Sequence, residues 1–359
     1  MSPLLYAIQA SVLSYQLDHN HQIQTLPGLR TTHKVKDINH AQFADDTLLL
    51  GGASIISARS FKKELDIYRM FSGSKINFRK CSIYGWNCSI KELSDIARLL
   101  EMEGIRKWES FKYLGIPIFK SKPKVAHWLP LLDKLKNRIQ AWGASWLNNA
   151  GKVILMKSVL ISMPLYQYST LLAPKIFLSK MDSLLRRFLW EGGNNNDRRI
   201  HLVNWEILKR PLMEGGLHLR NLAAQNLALG SKILWNLVPG NSSWSKRVIW
   251  KKYFQGHRLR CLDNPPRTLK GSPIFNLCST AMEHFSHHLY WIPGNGRKIK
   301  IWEDSILGDP PLIQMEGLAN IKAWLQSCNL HSLWDISTWK DDTDRLWDSW
   351  NLGEVPPRL

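Results

Sequence analysis

Cysteine is scarce in this chain and odd in number. The five residues, Cys81, Cys88, Cys261, Cys278 and Cys328, cannot all pair, and no two are spaced as Cys-x-x-Cys. Neither a disulfide framework nor a zinc site is supported, and reduced thiols in a reducing compartment fit best. Long apolar runs are missing too. Nothing approaches the ~18 consecutive apolar residues of a spanning helix, so no membrane partner is expected. The opening Met1-Ser2-Pro3-Leu4-Leu5-Tyr6-Ala7-Ile8 lacks the basic lead-in and cleavage site of a signal peptide. Acidic residues run short in one region. Residues 121–260 hold 23 Lys+Arg against 6 Asp+Glu, whereas residues 1–120 hold 16 against 11 and residues 261–359 hold 9 against 12. Such an imbalance exceeds that of an ordinary solvated face and excludes acidic partners least of all.

What is present fits a globular chain of 359 residues, 44% apolar, with a net charge of +19 and a pI near 9.8. That length allows two or three domains. The charge points to a polyanion, and a sugar-phosphate backbone is the simplest one, bound in a strongly salt-dependent way. The 17 tryptophans are an excess. Most are expected to fill helix interfaces, with a few free to stack on bases.

Along the chain, Ser2-Pro3 is a helix start, and Leu4, Leu5, Ile8, Val12, Leu13 and Leu17 predict a helix with one buried face. Residues 25–35 read as a turn and a short strand. Ile55 to Phe71 predicts a helix of about four turns that Ser72-Gly73 ends. The run Lys75 to Tyr84 alternates like a strand, Ile90 to Leu100 reads as a short helix, and Tyr113 to Ile118 as another strand. From Trp128 the pattern turns helical. Leu131, Leu132, Leu135, Ile139 and Trp142 form a stripe, Val153–Leu172 is broken at Pro164, and Ile176–Trp190 and Leu217–Val238 follow. Residues 191–199 read as a loop. Past residue 260 the pieces shorten, with Ile299–Trp302 a possible strand and the last residues a poorly ordered end. Strands followed by helices suggest an α+β fold.

One stretch organises the rest. Asp45 and Asp46 sit between the apolar residues before Phe43 and the Leu48-Leu49-Leu50 run, at or next to a hairpin turn. Adjacent carboxylates repel, and burial would be costly, so the turn presents them either to water or to a hard cation such as Mg²⁺.

The order of motifs carries more than any one of them. Phe43-Ala44-Asp45-Asp46 is followed by Ser72-Gly73-Ser74-Lys75-Ile76-Asn77-Phe78-Arg79-Lys80 and then Lys112-Tyr113-Leu114-Gly115. Downstream come Ala150-Gly151-Lys152, Pro164-Leu165-Tyr166, Phe188-Leu189-Trp190-Glu191-Gly192, Val203-Asn204-Trp205, Gly215-Gly216-Leu217, Gly294-Asn295-Gly296 and Ile301-Trp302-Glu303-Asp304. The series, over residues 2–305, resembles the reverse transcriptase of non-LTR (LINE-type) retrotransposons, in particular the plant type.

The resemblance implies a partial right-hand polymerase palm, an antiparallel sheet with helices, over residues 1–120. It implies a basic helical thumb and connection over 121–260 and a connector with an irregular tail over 261–359. Asp45 and Asp46 would be catalytic carboxylates holding two Mg²⁺ ions about 3.5–4 Å apart. The reaction would be nucleotidyl transfer from a dNTP to a primer 3′-hydroxyl, with an RNA template and a DNA primer as partners. Phe43 and Ala44 would shape the approach of the primer end, and Lys75 or Lys80 would neighbour the triphosphate. Tyr113, Leu114 and Gly115 would grip the primer. Solvated charges at Lys75 and Lys80, and a buried strand end at 113–115, stand as equal alternatives. Lys134, Lys136, Arg138, Lys152, Lys157, Arg186 and Arg187 would contact the nucleic-acid backbone. The family's other metal-bridging Asp and its fingers lie upstream of the Ser-Pro-Leu-Leu helix, so the chain is expected to be a truncated fragment with little activity of its own. Neither Asp18 nor Asp37 is placed to substitute, and His19, His21, His287 and His288 lack partners at ligand spacing. Nucleus or cytoplasm is the location implied. A non-catalytic nucleic-acid-binding remnant is the alternative.

Overall fold

A computed structural model describes residues 3–32, 35, 37–142, 147–191, 202–237, 244–254, 271–286, 288–290, 299–300 and 302. The chain divides into two compact units, residues 1–255 with 270–278, and residues 256–269 with 279–359. The expected boundary at residue 120 falls inside the first unit. The expected loop at Gly192–Arg199, the Gly294-Asn295-Gly296 motif, Ile301, Glu303, Asp304, His287 and the tail from 303 onward lie outside the described residues.

Helix α1 (Pro3–Gln22) forms where Pro is tolerated in the first turn. It buries Leu13 and Leu17, yet Leu4, Leu5, Ile8, Val12 and Tyr15 stay exposed. The single buried face expected from spacing is thus half the story, because the helix is apolar on both sides and only one side has a partner. Strands β1 (His40–Phe43) and β2 (Asp46–Leu49) pair antiparallel with His40 opposite Leu49 and Phe43 opposite Asp46. The strand expected within 25–35 shrinks to an isolated antiparallel bridge between Leu29 and Ile38.

Helix α2 (Ile55–Ser72) starts at Ser54, whose hydroxyl accepts from the Ser57 amide, and ends at Gly73 with φ 64°. Phe61 from α2 meets Leu13, Leu17 and Leu26, with Leu49 packed alongside. That small core joins α1, β2 and α2. The expected strand over Lys75–Tyr84 is mostly absent. Phe78–Lys80 is one 3₁₀ turn, and only Ser82–Tyr84 (β3) extends, because the Cys81 amide bonds Phe78 and closes the turn. Helix α3 (Ile90–Leu100) carries a capping box between Ser89 and Glu92. It is followed by β4 (Glu103–Ile105), which pairs parallel with β3.

The expected strand Tyr113–Ile118 is instead a hairpin of β5 (Ser110–Tyr113) and β6 (Ile116–Phe119). Gly115 has φ 78° and Leu114 φ 50°, so these two residues turn the chain rather than extend it. The described strands therefore form three separate pairs, two antiparallel and one parallel, within a mixed fold of helices and small sheets.

In the helical half the runs expected from Trp128, Val153, Ile176 and Leu217 form helices, and the described residues hold three further α-helices where none was expected. It comprises α4 (Leu129–Ala141), α5 (Asn149–Leu155), a π-helical turn (Met156–Leu160), α6 (Leu165–Tyr168), α7 (Lys175–Glu191), α8 (Trp205–Lys209) and α9 (Leu222–Leu237). Then come α10 (Trp244–Ile249), another π-helical turn (Trp250–Phe254) and α11 (Pro273–Ser286). Pro164 does break the 153–172 run, as expected of a residue that cannot continue the hydrogen-bond ladder. Helix α9 begins five residues later than its apolar pattern suggests, because the Asn221 side chain accepts from the Ala223 and Ala224 amides and sets the start there.

The core of this half gathers the α4 stripe with Met156, Leu160, Tyr168, Phe177, Met181, Leu185 and Phe188. Inside it Asn226 is 2% exposed. Its oxygen accepts from the Ala173 amide at 2.8 Å, and its nitrogen donates to the Tyr168 and Leu171 carbonyls at 2.9 and 3.0 Å. One side chain thus satisfies three backbone groups of the buried link between α6 and α7.

Asn226→Ala leaves those groups unpaired and lowers the unfolding free energy by at least about 1–3 kcal/mol. Met213→Ala, at a fully solvated position, changes it by less than about 0.5 kcal/mol. Urea denaturation of the two variants distinguishes them.

Candidate nucleic-acid and metal site

The acidic tip is a two-residue hairpin. Ala44 and Asp45 bridge β1 and β2, and of the two only Ala44 takes positive φ, at 51°, the II′ pattern that matches strand twist. Phe43, Ala44, Asp45 and Asp46 are all exposed. Both carboxylates thus remain hydrated, which removes the desolvation cost that burial would impose.

Two phenols flank them. Burial first, and then the negative charges of Asp45 and Tyr68, hold Tyr6 of α1 above the ordinary phenol range. Burial, and then the charge of Asp46, does the same for Tyr113 of β5. The Tyr113 hydroxyl donates to the Ala41 carbonyl at 3.1 Å, across 72 positions of sequence. The turn beyond Tyr113 is covered in its turn. Tyr166 donates to the Leu114 carbonyl at 2.6 Å, and its ring lies 3.5 Å from where a Cβ on Gly115 would sit. A line of contacts therefore runs from the acidic hairpin through Tyr113-Leu114-Gly115 to α6. Tyr166 was legible in the sequence only as part of a motif, with no local signal of this role.

Helix α1 is latched to the same hairpin. Ser14 Oγ lies 2.8 Å from His40 Nε2 and donates to Gln42 at 3.2 Å, while Asn39 donates to the Leu17 carbonyl at 2.7 Å. At the other end of the helix's polar side, Gln9 donates to the Ser72 carbonyl and to Ser74 Oγ. Burial pulls the His40 imidazole below its ordinary value, partly opposed by Asp18 and reinforced by His21.

Among the described residues no cluster of three or more His, Cys, Asp or Glu side chains could hold a metal ion. A pair of cations needs a carboxylate from another element to bridge it. Asp45 and Asp46 offer a partial donor set, and no other described residue completes a two-cation site with them. Asp37 is bound to Arg30 at 3.3 Å and is not part of the tip.

Of the other expected contacts, Lys75 and Lys80 are exposed on the irregular segment around the 3₁₀ turn. Lys134, Lys136 and Arg138 stand out from α4, Lys157 from the π-helical turn and Arg187 from α7, all exposed. Two expectations need correction. Lys152 is only 4% exposed and donates to the Leu189 carbonyl at 3.3 Å, so it ties α5 to α7 in the interior and cannot reach a phosphate. Arg186 is half-buried, its guanidinium 5.8 Å from the Trp205 ring, and its Nε is enclosed by protein. Lys209 lies over the same ring and pairs with Asp182 at 3.0 Å. In both cases contacts between helices, a buried carbonyl for Lys152 and the Trp205 ring for Arg186, engage cations that a linear charge count treats as free.

Two measurements follow. Tyr113→Phe removes the bond to Ala41 and lowers stability by about 1 kcal/mol, with amide exchange in 40–49 rising more than in 129–141. Because the His40 pKa is depressed in the folded state, its contribution is complete above about pH 6.5. It is lost as pH falls from there through the folded value. A His40→Gln variant flattens that part of the stability–pH curve, read by thermal melts.

No protein-family model matches the chain. Two proteins of Arabidopsis thaliana are similar to it. A provisionally named ribonuclease H protein is 33% identical over 186 residues, which is 52% of this chain and 30% of that protein. An uncharacterized mitochondrial protein is 26% identical over 155 residues, 42% of this chain and 97% of that protein. The chain thus spans under a third of the first relative's length. Neither name is that of a reverse transcriptase.

Proposed function

We propose that this chain is a retroelement protein of the reverse-transcriptase lineage, with a palm hairpin carrying Asp45 and Asp46 and a basic helical thumb that holds nucleic acid. The observation that carries this reading is the convergence at one place of segments far apart in sequence. Tyr113, the first residue of the suggested primer grip, bonds the strand that leads to Asp45. Tyr166, from the helical half, bonds the next residue of that grip. A polymerase needs acid tip, primer contact and helical clamp to be mutually positioned, since positioning and charge neutralisation do most of the work in phosphoryl transfer. Similarity to a protein named for ribonuclease H, an enzyme class that acts on nucleic acid, supports the class of partner.

On this reading RNA template and DNA primer are the partners, a dNTP is the substrate, and Asp45 with Asp46 are the carboxylates that would meet Mg²⁺. The partial donor set favours a chain that binds primer–template and extends it poorly by itself. The exposed Lys134, Lys136, Arg138, Lys157 and Arg187 are the phosphate contacts. The second reading, a non-catalytic nucleic-acid-binding protein, draws on the same partial donor set among the described residues.

An Mg²⁺-dependent primer-extension assay on the purified chain is expected to give little or no product. Robust extension abolished by Asp45→Ala would overturn the idea of a chain inactive alone. In filter binding, neutralising Lys134, Lys136 and Arg138 together lowers affinity for duplex and reduces the salt slope by about two to three, whereas Asp45→Ala leaves binding in place. A salt slope unchanged by the triple substitution would count against the helical clamp.

A further inference from the structure

The β5–β6 hairpin has a second end, away from the Leu114–Gly115 turn, and an open cleft of about 610 Å³ lies there. Gly85, Arg106, Lys107, Trp108, Glu109 and Lys120 line it. That volume is in the range of small-ligand sites, ~300–1,000 Å³. The walls are locked together. Gly85 donates its amide to the Ile105 carbonyl at 3.1 Å, and Trp108 Nε1 donates back to the Gly85 carbonyl at 2.9 Å. Lys120 donates its amide to the Glu109 carbonyl at 2.9 Å, closing the hairpin's open end.

The cleft's charge is one-sided. Arg106, Lys107 and Lys120 make no ion pair among the described residues, while the single carboxylate, Glu109, already binds Lys124 at 3.2 Å and lies 3.9 Å from His127. A second, smaller cavity shows the opposite arrangement. There the cations are internally neutralised, Lys62 by Glu101 at 2.9 Å and Arg69 by Asp66 at 3.1 Å. Of these two, the first keeps cations without an ion pair among the described residues.

It also carries aromatic surface held ready. Trp108 is fixed edge-on against Trp86 at 6.2 Å, against Tyr84 at 5.7 Å and against Phe111 at 5.5 Å. Lys120 lies over its ring at 5.7 Å. Trp86 stands beside the cleft, between its lining residues Gly85 and Asn87, and is 58% exposed on a turn where Asn87 takes φ 52°. A large indole left in water next to an indole that is immobilised gives a stacking platform at low entropic cost.

We infer that this cleft binds a nucleotide unit, its base stacked on Trp86 and its phosphate held by Arg106, Lys107 and Lys120. Planar base and anionic phosphate are the two chemistries that an exposed indole and three cations without an ion pair among the described residues select together. The inference does not depend on the polymerase reading. It uses none of the acidic tip, the primer-grip turn or the exposed helical lysines.

The test uses the full chain and a fluorescein-labelled oligothymidylate in anisotropy titrations, with photo-crosslinking of a 5-iodouracil oligomer mapped by mass spectrometry. Trp86→Ala is expected to weaken binding roughly tenfold, with Trp86→Phe restoring most of it. Arg106→Gln with Lys107→Gln reduces affinity and salt dependence together. Crosslinks fall on Trp86 or Trp108. An oligomer of abasic sugar-phosphate binds more weakly and is indifferent to Trp86→Ala. Competition by adenosine monophosphate assigns the site to a free nucleotide, and competition by the oligomer alone assigns it to a strand; either supports the shared chemistry. Unchanged affinity in Trp86→Ala and in the double variant, or crosslinks confined to residues 129–191, overturns the inference. Such a failure leaves the acidic-tip reading intact, because Asp45→Ala and primer extension are scored separately.

Discussion

A two-stranded hairpin is marginal in water at best, and both antiparallel pairs here have only four residues per strand. Their positions are set by side chains that bond carbonyls of other segments. Tyr113 reaches Ala41, and Tyr166 reaches Leu114. Each such bond contributes only about 1 kcal/mol net. Their weight lies in direction, since a rigid phenol ring fixes both the distance and the angle of what it joins. With α1 latched to β1 through Ser14, and to the residue before it through Asn39, these contacts decide where the Asp45–Asp46 tip points and what lies beside it.

Charge is arranged around that frame with little waste. The two acidic side chains stay in water, where adjacent carboxylates repel least, and two partly buried phenols register their field. The basic helical half divides its cations between two uses. Lys134, Lys136, Arg138 and Arg187 face solvent, whereas Lys152 satisfies a buried carbonyl and Arg186 and Lys209 pack on Trp205. A long aliphatic stem with a polar head suits either use. Surface potential is therefore weaker than the count of basic residues suggests, though its sign is unchanged.

Legibility in the sequence followed the range of the interaction responsible. Helices α2, α3 and α4 were readable because apolar periodicity and the Gly73 stop act within a few residues. The Lys75–Tyr84 segment was misread because its alternation is a pattern of side chains, while the 3₁₀ turn there is a choice of the backbone. Tyr113–Ile118 looked continuous because four of its six residues, all but Gly115 and Pro117, suit a strand. The positive φ of Leu114 and Gly115, with Tyr166 bonded to the turn, makes it a hairpin. The exposed stripe of α1 was read as core because apolar spacing reports what could be buried, not whether a partner is there.

The sequence by itself determined the helices with long apolar stripes, the place of the acidic pair at or next to a hairpin turn, the break at Pro164 and the concentration of positive charge in residues 121–260. All of these arise from local propensity, steric restriction or simple composition. Only the tertiary structure decided that Lys152 is interior, that Asn226 holds the link between α6 and α7, that Tyr166 closes over Leu114 and Gly115, and that Arg106, Lys107 and Lys120 meet beside two tryptophans. Each of those depends on segments brought together by packing across tens of residues, and no spacing along the chain encodes which side chain then finds a partner and which is left facing water.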